Sequence, residues 1–182
     1  MTEENKSLEG TQTEKNLKDA FTAEATSLLR YVLYSKKSEF QYFRQNFMEI
    51  AKNEKEHAEK FLEFLGGIGD DEQNLKNSVA LEGFTSMIDY PHSAKVAEEE
   101  GFYEIAKVFQ EIAIIEARHK KIFEDMLNRT INKTVLFNNY STKWVCMKCG
   151  YIFEGVEPPN ECPVCGHDWK HFELYKEDRV WY

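Results

Sequence analysis

Apolar residues recur with a helical period over most of the chain, and this pattern predicts four main helices. The first should start at Thr13 as its N-cap, the second should span Phe40 to Leu65, and the third should start near Asp71. Pro91 should kink or interrupt the third helix, because proline lacks the N–H that a helix interior needs. A further helical piece then leads into a long fourth helix over about 102–128.

The second and fourth helices contain the same pattern, so the chain has an internal repeat. Residues 47–57 read FMEIAKNEKEH and residues 109–119 read FQEIAIIEARH, with Phe, Glu, Ile, Ala, Glu and His in register. Each copy ends in Glu-x-x-His, and residues three apart lie on the same face of a helix. Burying an ionised carboxylate is costly unless a cation or hydrogen bonds compensate it. The repeat therefore suggests a metal.

One acid lies upstream of each motif, and Glu24 falls inside the apolar stripe of the first helix. Glu24 lies 30 residues before Glu54, and Glu82 lies 34 residues before Glu116. Taken alone, Glu24 would more simply be a solvated residue at the edge of the stripe. A Glu from each of two helices plus Glu-x-x-His from two others is the di-iron or di-manganese constellation of ferritin-like bundles. Its four carboxylates would balance two divalent ions.

The last forty residues carry all four cysteines as two C-x-x-C pairs. These residues are Cys146, Cys149, Cys162 and Cys165. Four thiolates at this spacing form a tetrahedral site for zinc or a single iron, and metal binding should drive folding of so small a module. Gly150 and Gly166 follow the pairs, and we expect them to turn the backbone and donate N–H groups to sulfur. A structural zinc ribbon and a redox iron site are both open, although five aromatic residues near the pairs and a redox partner site favour iron.

Composition narrows the class of partner. A formal net charge of −9 argues against nucleic acid, and no apolar run reaches membrane-spanning length. The N-terminus lacks the apolar segment of a signal peptide, so we expect a cytoplasmic protein. We predict a flexible N-terminus over 1–12, a di-metal bundle over 13–129, a linker over 130–142 and a four-cysteine module over 143–182.

Both metal motifs, in this order, carry a family likeness. The chain resembles rubrerythrin over nearly its full length, through TEKNL at 13–17, EKEH at 54–57, IEARH at 115–119, and WVCMKCGY and ECPVCGH near the end. The resemblance implies a mainly α protein in which a ferritin-like four-helix bundle with two iron ions precedes a rubredoxin-like Fe(Cys)4 domain, where zinc could substitute. It also implies a homodimeric peroxidase that reduces hydrogen peroxide to water, with electrons from an NAD(P)H-dependent reductase or rubredoxin. The implied di-iron ligands are Glu24, Glu54, His57, Glu82, Glu116 and His119, and the implied tyrosines that hydrogen-bond the carboxylates are Tyr31 and Tyr90.

The third helix departs from the family pattern. Where the family usually has Glu-x-x-Glu, this chain reads Glu82-Gly83-Phe84-Thr85, so one carboxylate is missing. The resemblance implies that an iron moves between that carboxylate and the histidine matching His57 when the oxidation state changes. Here we expect the iron to stay on His57 and the di-iron potential to be raised, with Asp89 able to substitute only through an unusual bend. A ferroxidase or iron-handling protein is the alternative, and an inert zinc-bound or electron-carrier protein is a third class.

Overall fold

The computed structural model describes residues 7–176. Contacts divide the chain into two compact units, the first ending at Asn74 and the second beginning at Leu75. The described residues are mainly helical, and a small antiparallel sheet follows the helices. This confirms the predicted class of a mainly α protein with a small C-terminal metal-ribbon domain. Within residues 7–176, no helix has both the length and the apolar character needed to cross a membrane.

The first unit is built on two helices, α1 (Gln12–Lys37) and α2 (Gln41–Phe64). The predicted N-cap at Thr13 is wrong, because the cap is Thr11, whose hydroxyl accepts a hydrogen bond of 3.1 Å from the Glu14 N–H. Residues 1–6 of the predicted flexible N-terminus lie outside the described part of the chain. Small side chains at two buried positions of α2, Ala51 and Ala58, allow the two helices to pack closely.

The third predicted helix is not broken at Pro91. It runs as α3 (Asp71–Phe84), passes through a π-helical turn (Thr85–Asp89), and continues as α4 (Tyr90–Glu99). Pro91 lies in the first turn of α4, where its missing N–H leaves no helical hydrogen bond unmade. The interruption is therefore a change of helical period at the π turn, and the proline follows it.

The helix that carries the second Glu-x-x-His is α5 (Tyr103–Ile131), three residues longer at its end than predicted. It follows a turn at Gly101, whose φ of +84° lies in the left-handed region that glycine adopts without strain. Buried alanines on α5 (Ala106 and Ala113) face α4, with which α5 packs extensively.

A three-stranded antiparallel sheet closes the described chain. Its strands, in the spatial order β2-β1-β3, are β1 (Thr142–Cys146), β2 (Ile152–Gly155) and β3 (Phe172–Leu174). Trp144 and Phe172 are almost fully buried beside two of the cysteines, and the Trp144 indole N–H donates to the carbonyl of Gly155 at 2.9 Å. The core of this module is therefore built directly around the cysteine pairs.

Candidate metal centres

The first unit brings three of the predicted ligands together. Glu24 comes from α1, and Glu54 and His57 come from one face of α2. The Nδ1 atom of His57 lies 3.0 Å from a carboxylate oxygen of Glu54 and 3.7 Å from one of Glu24. One donor atom from each residue lies within 4.8 Å of the others. Two helices thus present two carboxylates and an imidazole to one point.

The second unit contains a matching group. Glu82 comes from α3, and Glu116 and His119 come from α5. The Nδ1 atom of His119 lies 2.7 Å from a carboxylate oxygen of Glu116 and 3.9 Å from one of Glu82, and the three donor atoms again lie within 4.8 Å. We call these groups the first triad (Glu24, Glu54, His57) and the second triad (Glu82, Glu116, His119).

Each triad holds two carboxyl groups close enough to compete for a proton. A hydrogen bond from Glu54, followed by desolvation, raises the pKa of Glu24. Desolvation, followed by a hydrogen bond with Glu116, raises the pKa of Glu82. A divalent cation can replace the shared proton, and two carboxylates with one imidazole suit iron, manganese or zinc. The donor sets therefore fit a metal in both triads.

The six predicted di-iron ligands thus fall into two threes, one in each unit. Every one of the six belongs to a cluster that could hold a metal ion. Their union in a single di-iron centre remains a prediction.

The two predicted tyrosines occupy equivalent places beside the repeated phenylalanines. Tyr31 packs on Phe47 with ring centroids 6.1 Å apart, and Tyr90 packs on Phe109 at 5.6 Å. Tyr31 lies seven residues after Glu24, whereas Tyr90 lies eight after Glu82. The hydrogen bonds of both tyrosines to the carboxylates stay a prediction.

The π turn accounts for the extra residue in the second half. The N–H of Tyr90 donates to the carbonyl of Thr85, five residues earlier, so this turn takes one residue more than an α-helical turn. In a continuous α-helix, the eighth residue after Glu82 would lie about 100° away from the position that the seventh residue takes after Glu24. The π turn absorbs that rotation, and Tyr90 meets Phe109 as Tyr31 meets Phe47. The sequence contained this signal only as the unequal acid-to-tyrosine spacing.

The position of the missing carboxylate lies at the start of the π turn. The Thr85 hydroxyl donates a hydrogen bond of 2.8 Å to the carbonyl of Leu81, within its own helix. Asp89 is exposed at the other end of the turn. Among residues 7–176, the donor cluster around Glu82 includes only Glu116 and His119, so Asp89 does not take the missing place.

The four cysteines form the third candidate centre. The Sγ atoms of Cys146 and Cys165 are 3.7 Å apart, those of Cys149 and Cys162 are 3.6 Å apart, and all four lie within 4.8 Å of one another. A tetrahedral metal with bonds of about 2.3 Å to sulfur requires sulfur–sulfur separations of about 3.8 Å. The site is therefore already shaped for one tetrahedral ion.

The backbone around the sulfurs corrects one expectation. Gly150 and Gly166 turn the chain with φ of +79° and +72°, but their N–H groups bond to the carbonyls of Cys146 and Cys162. Other N–H groups bond to the sulfurs, and these belong to Tyr151, Val164, Cys165 and His167. Sequence reasoning missed these donors, because backbone groups carry no residue-type signal.

These N–H groups favour thiolate at one sulfur in particular. Burial alone would raise the pKa of Cys162, but N–H donation from Cys165 and Val164 prevails and lowers it to about 7. At Cys149 the N–H of Tyr151 lowers the pKa, but desolvation and the neighbouring thiols raise it to about 12. A cation is what allows all four sulfurs to ionise together. Four of the five predicted aromatic residues pack in this core, whereas Trp169 is exposed.

Known proteins match both parts of the chain. The family model "Rubrerythrin" matches residues 15–127 and 73–141, and "Rubrerythrin, rubredoxin-like domain" matches residues 144–173. Rubrerythrin of Nitratidesulfovibrio vulgaris is 38% identical over 185 residues, covering 93% of this chain and 97% of that protein. Rubrerythrin of Porphyromonas gingivalis is 37% identical over 191 residues, covering 96% of each. A solved structure of nigerythrin in a partially reduced state is 21% identical and covers 96% of this chain and 91% of the nigerythrin chain, with a TM-score of 0.36.

These matches agree with the donor groups found in the structure. Rubrerythrins have a di-iron site and a rubredoxin-like Fe(Cys)4 site. The two triads supply carboxylates and imidazoles of the kind that iron binds, and the four sulfurs have tetrahedral spacing. The sequence identity extends over almost the whole of both relatives. This chain belongs to the rubrerythrin family.

Proposed function

We propose that the protein is a non-haem di-iron peroxidase that reduces hydrogen peroxide to water and so protects against oxidative stress. Its family supports an oxidoreductase role. The observation that carries the proposal is the presence of two Glu/Glu/His triads at equivalent positions of an internal repeat. Peroxide takes up two electrons and two protons and gives two water molecules, so a site with two redox metals matches the stoichiometry of the reaction.

We further propose that the two triads supply one di-iron centre with six ligands. Four carboxylates balance the charge of two ferrous ions, and they also balance two ferric ions joined by an oxo bridge. The net charge of the site would therefore change little between the two states, which lowers the cost of holding them in an apolar bundle. When bound, the iron ions supply the two electrons that peroxide accepts.

The protein's own residues would contribute charge and protons. The raised pKa values of Glu24 and Glu82 mean that both carboxyl groups hold protons more tightly than free glutamate. The phenol groups of Tyr31 and Tyr90, packed beside Phe47 and Phe109, are hydrogen-bond donors at equivalent places in the two halves. We assign these four groups to proton supply and to the orientation of the bound peroxide.

The four-cysteine module would act as the electron relay. Its sulfurs accept backbone hydrogen bonds and its core contains Trp144 and Phe172, a partly dry surrounding that suits an iron–thiolate redox centre. We propose that an NAD(P)H-dependent reductase or a rubredoxin delivers electrons to it, and that the protein is a homodimer. The commitment of all four cysteines to one candidate metal site supports a reducing compartment, which we take to be the cytoplasm.

Rapid mixing tests the peroxidase proposal. The iron-loaded protein, reduced with dithionite under nitrogen, should be reoxidised much faster by stoichiometric hydrogen peroxide than by air-saturated buffer. Glu54→Gln should abolish the fast phase, whereas the control Glu56→Gln should keep it, because Glu56 is exposed on α2 and lies outside the triad. Faster oxidation by oxygen, or a Glu54→Gln variant as fast as its control, would refute the proposal.

One observation favours a second function, that of a ferroxidase or iron-handling protein. Thr85 replaces the usual carboxylate, and its hydroxyl is already bonded to the carbonyl of Leu81. With one anionic ligand fewer, the centre would hold ferric iron less firmly and could release it. Oxidation of added ferrous iron by oxygen, with ferric iron leaving the protein, would identify this function in the same apparatus. A colourless protein that contains zinc would exclude both functions.

A further inference from the structure

The repeat provides an internal comparison between α2 and α5. On the side that carries the triad ligands, both helices have apolar residues at equivalent positions. These pairs are Phe43 and Ile105, Ile50 and Ile112, and Phe64 and Met126. One neighbouring row differs between the halves: α5 has Val108, Ile115 and Ile122, which we call the α5 row. The equivalent residues of α2 are Asn46, Asn53 and Lys60.

The α5 row is not used in the packing of its own unit. Val108, Ile115 and Ile122 are 55%, 38% and 51% exposed. The buried Ala113, which faces α4, lies about 200° around the helix from Ile115. The polar residues of α2 show that the repeat does not need apolar side chains in this row. A row of aliphatic residues at seven-residue intervals is typical of a helix–helix contact.

We propose that the α5 row is the contact surface between two copies of this chain, which pair α5 against α5 in antiparallel orientation. A two-fold axis at Ile115 places Val108 opposite Ile122 of the partner subunit and Ile115 opposite the partner's Ile115. Such a contact is isologous, since the same patch serves both copies. It gives a surface to the homodimer proposed above and does not rest on the peroxidase activity.

The charges beside the α5 row suit a second copy. Glu111 and Arg118 flank Ile115 on one side of the helix, and both are exposed. In the antiparallel pair Glu111 lies beside Arg118 of the partner subunit, and this attraction occurs twice. Beyond it, Glu104 lies near the partner's Asp125, and Arg129 offsets that repulsion because its Nε bonds to Asp125 at 2.8 Å within each chain. The centre of the contact is therefore attractive in both its apolar and its charged parts.

The size of the contact sets its strength. From Val108 to Ile122 the helix rises about 21 Å, at about 1.5 Å per residue. Two helices that meet over this length bury less than a standard interface, so the contact belongs with the smaller, weaker ones. We therefore expect a dimer whose population depends on protein concentration in the micromolar range.

Sedimentation equilibrium of the full-length, iron-loaded protein tests the proposal. The parent should sediment as a monomer–dimer mixture, and the triple variant Val108→Asn, Ile115→Asn, Ile122→Lys, which carries the α2 residues, should raise the dissociation constant at least about tenfold. Ile114→Asn is the matched control, because Ile114 is 67% exposed on the same helix but lies off the row. Circular dichroism and iron content should match the parent in both variants.

A charge exchange identifies the occupant. Arg118→Glu should weaken the dimer, because Glu111 would then face a partner carboxylate, and adding Glu111→Arg should restore it. Only contact with a second α5 predicts this rescue; a heterologous protein or another surface of this chain does not. A parent that stays monomeric at high micromolar concentration, a triple variant that dimerises like the control, or a missing rescue would each overturn the proposal.

Discussion

The π turn predicts an unequal response of the two halves to the same perturbation. Met87 lies in the π turn and is 71% exposed. Deleting it should convert the π turn into an ordinary α-helical turn and leave seven residues between Glu82 and Tyr90, the spacing found in the first half. Because the register before and after the turn is kept, Tyr90 should remain on Phe109 and Glu82 should remain in the second triad. We expect the stability of this variant to equal or exceed that of the parent.

The matched control is the deletion of Thr26, an exposed residue between Glu24 and Tyr31 in α1. No π turn is present there, so the deletion rotates the rest of the helix by about 100° and shifts it by about 1.5 Å. The Tyr31 ring leaves Phe47, which costs about 0.5–1.5 kcal/mol. Ser35 loses its hydrogen bond of 3.0 Å to the carbonyl of Arg44, which costs about 0.5–1.5 kcal/mol more. The sum is about 1–3 kcal/mol, and each kcal/mol lowers the melting temperature by about 2–4 °C.

Thermal unfolding of the metal-free variants, followed by circular dichroism, measures this difference. Cobalt titration of the same samples measures whether each variant still binds the parent's number of divalent ions. The deletion of Met87 should leave both quantities unchanged or improved, and the deletion of Thr26 should reduce both. If the two deletions cost the same, the π turn does not absorb the extra residue, and the explanation of the eight-residue spacing is wrong.

Three further predictions concern the metals. Thr85→Glu should lower the di-iron potential in a redox titration, since an added carboxylate favours the ferric state, and crystals of the oxidised and reduced parent should show an iron on His57 in both; a variant potential at or above the parent's would contradict this. Cys149→Ser should weaken metal binding by more than the roughly 10–100-fold typical of outer groups, and chelation should red-shift the fluorescence of Trp144, which is 1% exposed, in a background where the other tryptophans are phenylalanine; an unshifted spectrum would show that the module folds without metal. Cobalt affinity of the triads should fall as the pH falls, beginning above the usual range of glutamate because the pKa of Glu24 is raised, and a midpoint at or below about 4.3 would contradict the hydrogen bond with Glu54.

The sequence was most informative where chemistry restricts residue type. Few side chains bind transition metals, so paired Glu-x-x-His motifs and paired C-x-x-C motifs could be found without knowledge of the fold. The structure places every one of those residues in a donor cluster. The helix spacing of three residues and the turn at each glycine were enough for that result, because both are local properties of the chain.

Features that depend on geometry rather than residue type escaped the sequence. Proline at position 91 suggested a break, yet the helix accommodates it because the π turn comes first and places Pro91 in a new first turn. The cap at Thr11 could have been found, since Thr11 and Glu14 match the capping-box spacing, but a second threonine two residues later offered the same residue type. The N–H donors to sulfur had no residue-type signal at all.

The differences between the two halves of the repeat all fall on the second unit. Both halves keep the triad, the aromatic pair and the buried alanines, which are the features that any metal-binding helix pair of this design needs. Only the second half has the π turn, the threonine at position 85 and the α5 row. A repeat begins with two equal copies, so each unequal feature marks a requirement that only one copy meets. We infer that the first half supplies metal binding alone, whereas the second half also carries the contact with a partner chain and the residues that set the redox properties of the site.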